Sequence, residues 1–143
     1  SMMKFAALAL LIAMIGVAEA KMQNVTVKGI ATCGKLRAKN VQVVLWEHDT
    51  TSFDDKLAET TTNKNGEFEI KGGEAENFSI SPYIKITHDC KVAKVKKGKT
   101  CTRESKYQIP ANFIYKEGEK KKVYDMTYIA LDIVGKEDKE DCN

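Results

Sequence analysis

LAETTTNKNGEFEIK, from Leu57 to Lys71, reads as two extended segments around a turn. Glu67 to Lys71 alternates strictly, with Phe68 and Ile70 on one face and charged residues on the other, as a half-buried strand does. Asn65-Gly66 suits a tight turn because both residues tolerate positive φ. The expectation is an antiparallel hairpin, Leu57–Thr62 against Glu67–Lys71.

The same period extends in both directions. Towards the N-terminus, Val41 to His48 carries Val41, Val43 and Leu45 on one side and Val44 and Trp46 on the other, the mark of a central strand between packed layers. Gln23 to Cys33 sets Val25, Val27, Ala31 and Cys33 against Thr26, Lys28 and Thr32. Gly34 to Asn40 reads as a turn, and Asp49 to Lys56 as a polar loop. Towards the C-terminus, Gly72 to Ser81 reads as loop, and Pro82 opens a strand rather than interrupting one. Cys101 to Ile109 alternates and Pro110 ends it. Ala111 to Lys122 is a connection, Val123 to Leu131 the last long strand, and Gly135 to Asn143 a charged tail held by Cys142. Many strands with Gly, Pro and Asn turns, and no amphipathic helix, predict an all-β antiparallel sandwich of two sheets with about 7–8 strands.

The start of the chain bears on its compartment. Ser1 reads as an expression scar. Lys4, the apolar run Phe5–Val17 and Ala18-Glu19-Ala20 make a positive segment, an apolar segment and a small-residue cleavage site, so residues 1–20 are predicted to be a secretory signal peptide. The apolar run is short of the ~20 residues a membrane-spanning helix needs. Residues 21–143 then form a single domain, large enough to bury about two-thirds of its unfolded surface. The whole chain has 23 Lys and Arg against 20 Asp and Glu, a net charge of +3. That balance is too mild to argue for a nucleic-acid partner.

Four cysteines in an oxidising compartment read as two disulfides, with three possible connectivities. The stretch Tyr83–Cys101, YIKITHDCKVAKVKKGKTC, reads as a hairpin that brings Cys90 and Cys101 together. This favours Cys90–Cys101 and, by elimination, Cys33–Cys142. Between Cys90 and Cys101 stand Lys91, Lys94, Lys96, Lys97 and Lys99, without an acidic residue, and Arg103 follows. Together these six are the candidate anion-binding residues. Val92 and Val95 interleave with them. Lys120–Lys122 joins such a patch only if the fold brings the two runs together.

VKGIATCGKLRAKNVQVVLWEHD, LAETTTNKNGEFEIKG, SPYIKITHDC, YQIPANFI and YDMTYIALDI together resemble the nematode transthyretin-like family, over nearly all of residues 21–143. The resemblance implies a transthyretin-type (prealbumin or Ig-like) Greek-key sandwich, secreted and extracellular. The superfamily's enzyme branch, the 5-hydroxyisourate hydrolases, uses a histidine in the first strand and another in a C-terminal Tyr-Arg-Gly-Ser context. Val25–Cys33 has no histidine and the chain ends EDKEDCN, so that chemistry is not expected. Neither are the lining residues of transthyretin's tetrameric hormone channel in evidence.

No other catalytic constellation appears: no G-x-S-x-G and no glycine-rich phosphate loop. His88 beside Asp89 and Cys90 reads as a packed histidine, because an oxidised Cys90 supplies no thiolate. His48 reads as a surface or turn residue. The spacings fit neither a zinc site nor an EF-hand, so Glu47, Asp49, Asp54 and Asp55 read as solvated loop carboxylates and no metal or cofactor is predicted. Asn24 and Asn77 are N-glycosylation acceptors by sequence. Three functions remain open: an adaptor for an anionic membrane surface such as exposed phosphatidylserine, a carrier of a small apolar ligand, and a signalling or host-interaction protein acting on a cell-surface receptor. Each is non-enzymatic, without a transmembrane span, and served by a monomer or weak dimer.

Overall fold

A computed structural model describes residues 19–143. The predicted signal peptide lies, up to its last two residues, outside the described residues. Ten strands follow: β1 Met22–Cys33, β2 Leu36–Arg37, β3 Gln42–Glu47, β4 Asp55–Thr61, β5 Glu67–Ala75, β6 Pro82–His88, β7 Cys101–Gln108, β8 Tyr115–Lys116, β9 Tyr124–Ala130 and β10 Lys139–Cys142. A 3-10 turn, Ala111–Phe113, precedes β8.

The strands form two five-stranded sheets. In the first, β1 is the hub and pairs with β2, β5, β8 and β9; in the second the order is β10-β7-β6-β3-β4. All pairings are antiparallel except that β9 runs parallel to β1. The expected alternation supplies the core between the sheets: Val25, Val27 and Ala31 from β1, Val43 and Leu45 from β3, Phe68 and Ile70 from β5, Ile84 and Ile86 from β6. Each large aliphatic side chain so buried contributes about 1.5–3 kcal/mol. β3 is central, between β4 and β6. On its outer face Val44 is buried too, and the Lys85 ammonium lies 5.2 Å over the Trp46 ring.

The Asn63–Gly66 turn is tight but does not make a hairpin. Gly66 N–H donates to the Asn63 carbonyl at 2.9 Å, and Asn63 Oδ1 accepts from the amides of Asn65 and Glu67. Only Gly66 of this turn has positive φ, at 74°. Yet β4 pairs with β3 and β5 with β1, so the turn is the corner where the chain changes sheets. Alternation identifies the buried face of each strand; it does not say which edge its amides will meet. At this corner a Cβ on Gly66 would collide with the Ala31 carbonyl oxygen. Gly66→Ala is therefore expected to destabilise by about 2–3 kcal/mol, from the left-handed φ and the backbone overlap together. Urea unfolding measures it, and a loss below about 1 kcal/mol contradicts the turn geometry.

The disulfides are Cys33–Cys90 and Cys101–Cys142, which corrects the expected Cys90–Cys101 and Cys33–Cys142. The β6–β7 register pairs His88 with Arg103, and two further steps would set Cys90 opposite Cys101. The ladder stops short of that. The chain turns at Cys90 and Lys91, where Lys91 takes a φ of 47°, and carries the Cys90 side chain inward to the end of β1. Cys101 faces Cys142 across the β7–β10 pair instead. Boundaries also move: β4 begins at Asp55 and β5 runs on to Ala75, both inside predicted loops, the short strands β2 and β8 form in the predicted turn and connection, and the charged tail forms β10.

Candidate functional site

The loop from residue 89 to 100 joins β6 to β7 and presents Lys91, Lys94, Lys96, Lys97 and Lys99, all exposed. None of the five belongs to an ion pair among the described residues. Val95, between them, is 89% exposed, while Val92 is half-buried. The positive charge has a local cause: near neighbours in sequence on one short connection have no room to diverge.

The loop is seated by its backbone. Ala93 and Lys94 donate their amides to the Glu140 carboxylate at 3.1–3.2 Å, which holds Glu140 below the usual glutamate range. Thr100 and Asn143 exchange two backbone hydrogen bonds. Gly98, at a φ of 72°, lets the Lys99 amide reach back to the Lys96 carbonyl. One disulfide begins at each end of the loop, Cys90 running to the first sheet and Cys101 to β10. The lysine side chains are thus carried on a fixed frame.

Arg103 does not belong with them. It was predicted as an anion-binding residue but is 1% exposed. Its guanidinium donates to the carbonyls of Cys90 at 3.0 Å, Leu131 at 2.8 Å and Lys91 at 3.4 Å, and pairs with Asp138 and Glu140. Its position in alternating β7 points it inward, where the incoming loop leaves carbonyls needing a donor. Lys120–Lys122 is exposed but not joined to the loop either. It lies between residues that pair with Gln23 and Val27, towards the start of β1, whereas the lysine loop is bonded to Cys33 at the other end.

His88 is packed as expected. It is buried, accepts the Cys90 amide at Nδ1 (3.1 Å) and meets Ser105 Oγ through Nε2 at 2.9 Å. With Nδ1 an acceptor, Nε2 carries the proton, and Ser105 passes the chain on to Asp138. Burial and then the Arg103 charge hold His88 below its ordinary value, so the ring is neutral. Cys90 is oxidised, so His88 faces no nucleophile. His48 is exposed at the end of β3, 3.2 Å from Asp54, which also accepts from the Tyr83 hydroxyl. Asn77 stands in an exposed loop, while Asn24 is half-buried in β1, paired with Gly73 and Tyr115.

The reading of Glu47 as a solvated carboxylate is overturned: it is 3% exposed. It faces Asp55 across the β3–β4 pair, and Glu74 and Glu76 reach the same place from the end of β5. Burial and the neighbouring Glu76 raise Glu47, and Glu74 is pushed up to about 7 by burial and Asp55. Sequence reasoning missed Glu74 and Glu76 because it ended β5 early. Their i, i+2 spacing was the only signal that they share a face.

The family model described as TTR-52, transthyretin-like family, matches residues 28–110. The chain belongs to the transthyretin-like family. Transthyretin-like protein 16 of Caenorhabditis elegans is 43% identical over 123 residues, covering 86% of each chain. Transthyretin-like protein 46 of the same organism is 40% identical over 134 residues, 92% of this chain and 73% of the relative. Transthyretin-like protein 33, also from C. elegans, is 32% identical over 121 residues, 84% and 82%. Among the described residues no helix is long and apolar enough to cross a membrane.

Proposed function

We propose that this transthyretin-like protein is a secreted, non-enzymatic binding module that docks on anionic membrane surfaces, phosphatidylserine-containing ones in particular, through the loop from Lys91 to Lys99. The observation that carries the reading is five exposed lysines, free of ion pairs among the described residues, on a loop anchored at both ends. Each lysine near an anionic leaflet contributes about 1 kcal/mol. A frame already ordered by Glu140 and Arg103 loses little further freedom on docking. Val95 at the tip is placed to enter the headgroup region. Two disulfides fit an oxidising compartment, which supports secretion. Four surface grooves of about 410–520 Å³ are lined largely by polar and charged side chains, and the apolar one, about 390 Å³ beside Tyr124, Met126, Tyr128 and Ile133, lies open at the surface rather than forming the enclosed chamber a carrier needs.

The test is co-sedimentation of the protein with neutral and phosphatidylserine-containing liposomes at low and physiological salt. Wild type is expected to bind only the anionic vesicles, more weakly as the Debye length falls to ~8 Å at physiological ionic strength. The variant K94E/K96E/K97E/K99E is expected to lose that binding while melting at nearly the wild-type temperature, because all four side chains are exposed and enter no ion pair among the described residues. A folded wild type that ignores anionic vesicles refutes the reading and turns the search to a protein receptor.

A further inference from the structure

The geometry points to a divalent-cation site, calcium by its donor chemistry, formed by Glu47, Asp55, Glu74 and Glu76 at the end of the sandwich opposite the lysine loop. The four residues come from both sheets: Glu47 and Asp55 from β3 and β4, Glu74 and Glu76 from β5 and the residue after it. Each offers one carboxylate oxygen, and these oxygens all lie within 4.8 Å of one another. Two oxygens on opposite sides of a calcium ion, each at about 2.4 Å, are about 4.8 Å apart. The cluster therefore has the span of one coordination sphere.

A gathering of acids is not by itself a site; Glu47 makes the difference. Its side chain is 97% withdrawn from solvent, with 3% exposed, and its Oε2 has no hydrogen-bond partner. Glu74 Oε2, in the same cluster, is also buried and unpartnered. None of the ion pairs between described residues involves any of the four. A buried carboxylate oxygen with neither a cation nor a donor is costly, and Glu47 and Glu74 each leave one here. A divalent ion removes that cost. The donors are all hard oxygens, without the nitrogen or sulfur that zinc prefers. Magnesium demands near-ideal octahedral geometry and keeps its waters, so an all-carboxylate cage favours calcium.

The site would tie the two sheets at one end as Cys33–Cys90 ties them at the other. β6 separates the two ends: Pro82 pairs beside Glu47, and His88 leads into the lysine loop, six strand steps or roughly 20 Å away. Calcium bound there leaves the lysine loop untouched, so its presence and liposome binding are separate questions.

Isothermal titration of the EDTA-treated full chain with calcium chloride tests the site, paired with thermal melts in EDTA and in calcium. One calcium per chain is expected, in the range of about 10⁻⁴–10⁻³ M typical of extracellular modules, with Tm rising on saturation. E47Q/E74Q is expected to bind at least tenfold more weakly and to show no calcium-dependent rise. In EDTA it should melt no lower than wild type, because the substitutions remove repulsion. Should that variant fail to fold, E76Q, at a half-buried position, takes its place with the same expectation. No saturable uptake by wild type up to about 10 mM, ten times the weak end of that range, overturns the proposal. So does unchanged affinity in a folded variant, and magnesium binding as tight as calcium overturns the choice of ion.

Discussion

Arg103→Met is expected to lower stability by about 3–5 kcal/mol, the cost of removing one partner from a buried charge network. The loss follows from what the guanidinium holds. It donates to the carbonyls of Cys90 and Leu131, both buried contacts, and so ties the start of the lysine loop to the segment after β9. It is also the cation beside Asp138, whose side chain is 3% exposed. Methionine fills much of the volume but leaves those carbonyls without a donor and Asp138 without a countercharge. In a domain of this size each kcal/mol moves Tm by roughly 3–5 °C, so the melt should fall by roughly 10–20 °C. Arg103→Lys keeps the charge and loses the planar fork, and should recover only part of the loss. A methionine variant within about 1 kcal/mol of wild type would return Arg103 to the surface role its sequence neighbours suggest.

Removing the inter-sheet bridge is the second large effect. Cys33 and Cys90 are 57 residues apart in sequence, and closing a loop of that length removes unfolded-chain entropy worth about 4 kcal/mol. C33A/C90A is expected to lose about that much in urea unfolding. Cys101–Cys142 closes a loop of similar length, 41 residues, but fastens the edge strand β10 rather than one sheet to the other. Its loss should fray the tail and the loop contact through Glu140 before the core. The pairing itself is open to direct reading, because trypsin cuts after Lys91 and separates Cys90 from Cys101. A non-reducing digest should yield GIATCGK joined to ITHDCK, and TCTR joined to EDCN. ITHDCK joined to TCTR would contradict the fold at its most constrained point.

Much of the sandwich was legible strand by strand. Val25, Val27 and Ala31, then Phe68 and Ile70, were assigned to buried faces by alternation alone, and they are core residues. Pro82 was placed at the start of a strand for lack of an amide to donate, and β6 begins there. The five loop lysines were legible as a cluster because sequence proximity alone brings them together. Arg103 was misjudged for the same reason: it follows the lysines in sequence but belongs to a strand that turns it inward. The acidic cluster was half legible at best. Glu47 and Asp55 were in view, but Glu74 and Glu76 lie on a strand of the other sheet.

The sequence by itself determined the fold class, the buried face of most strands and the location of a concentrated positive charge. These are local properties, set by the two-residue period of a strand and by charges that are neighbours along the chain. Tertiary structure alone decided that the Asn63–Gly66 turn joins two sheets rather than two strands of one. It also decided which cysteines meet, that Arg103 is a strut, and that four carboxylates from two sheets converge. Each of these depends on which strand edges pair and where a ladder stops. Free energy summed over the whole core sets those outcomes, and no window of sequence contains it.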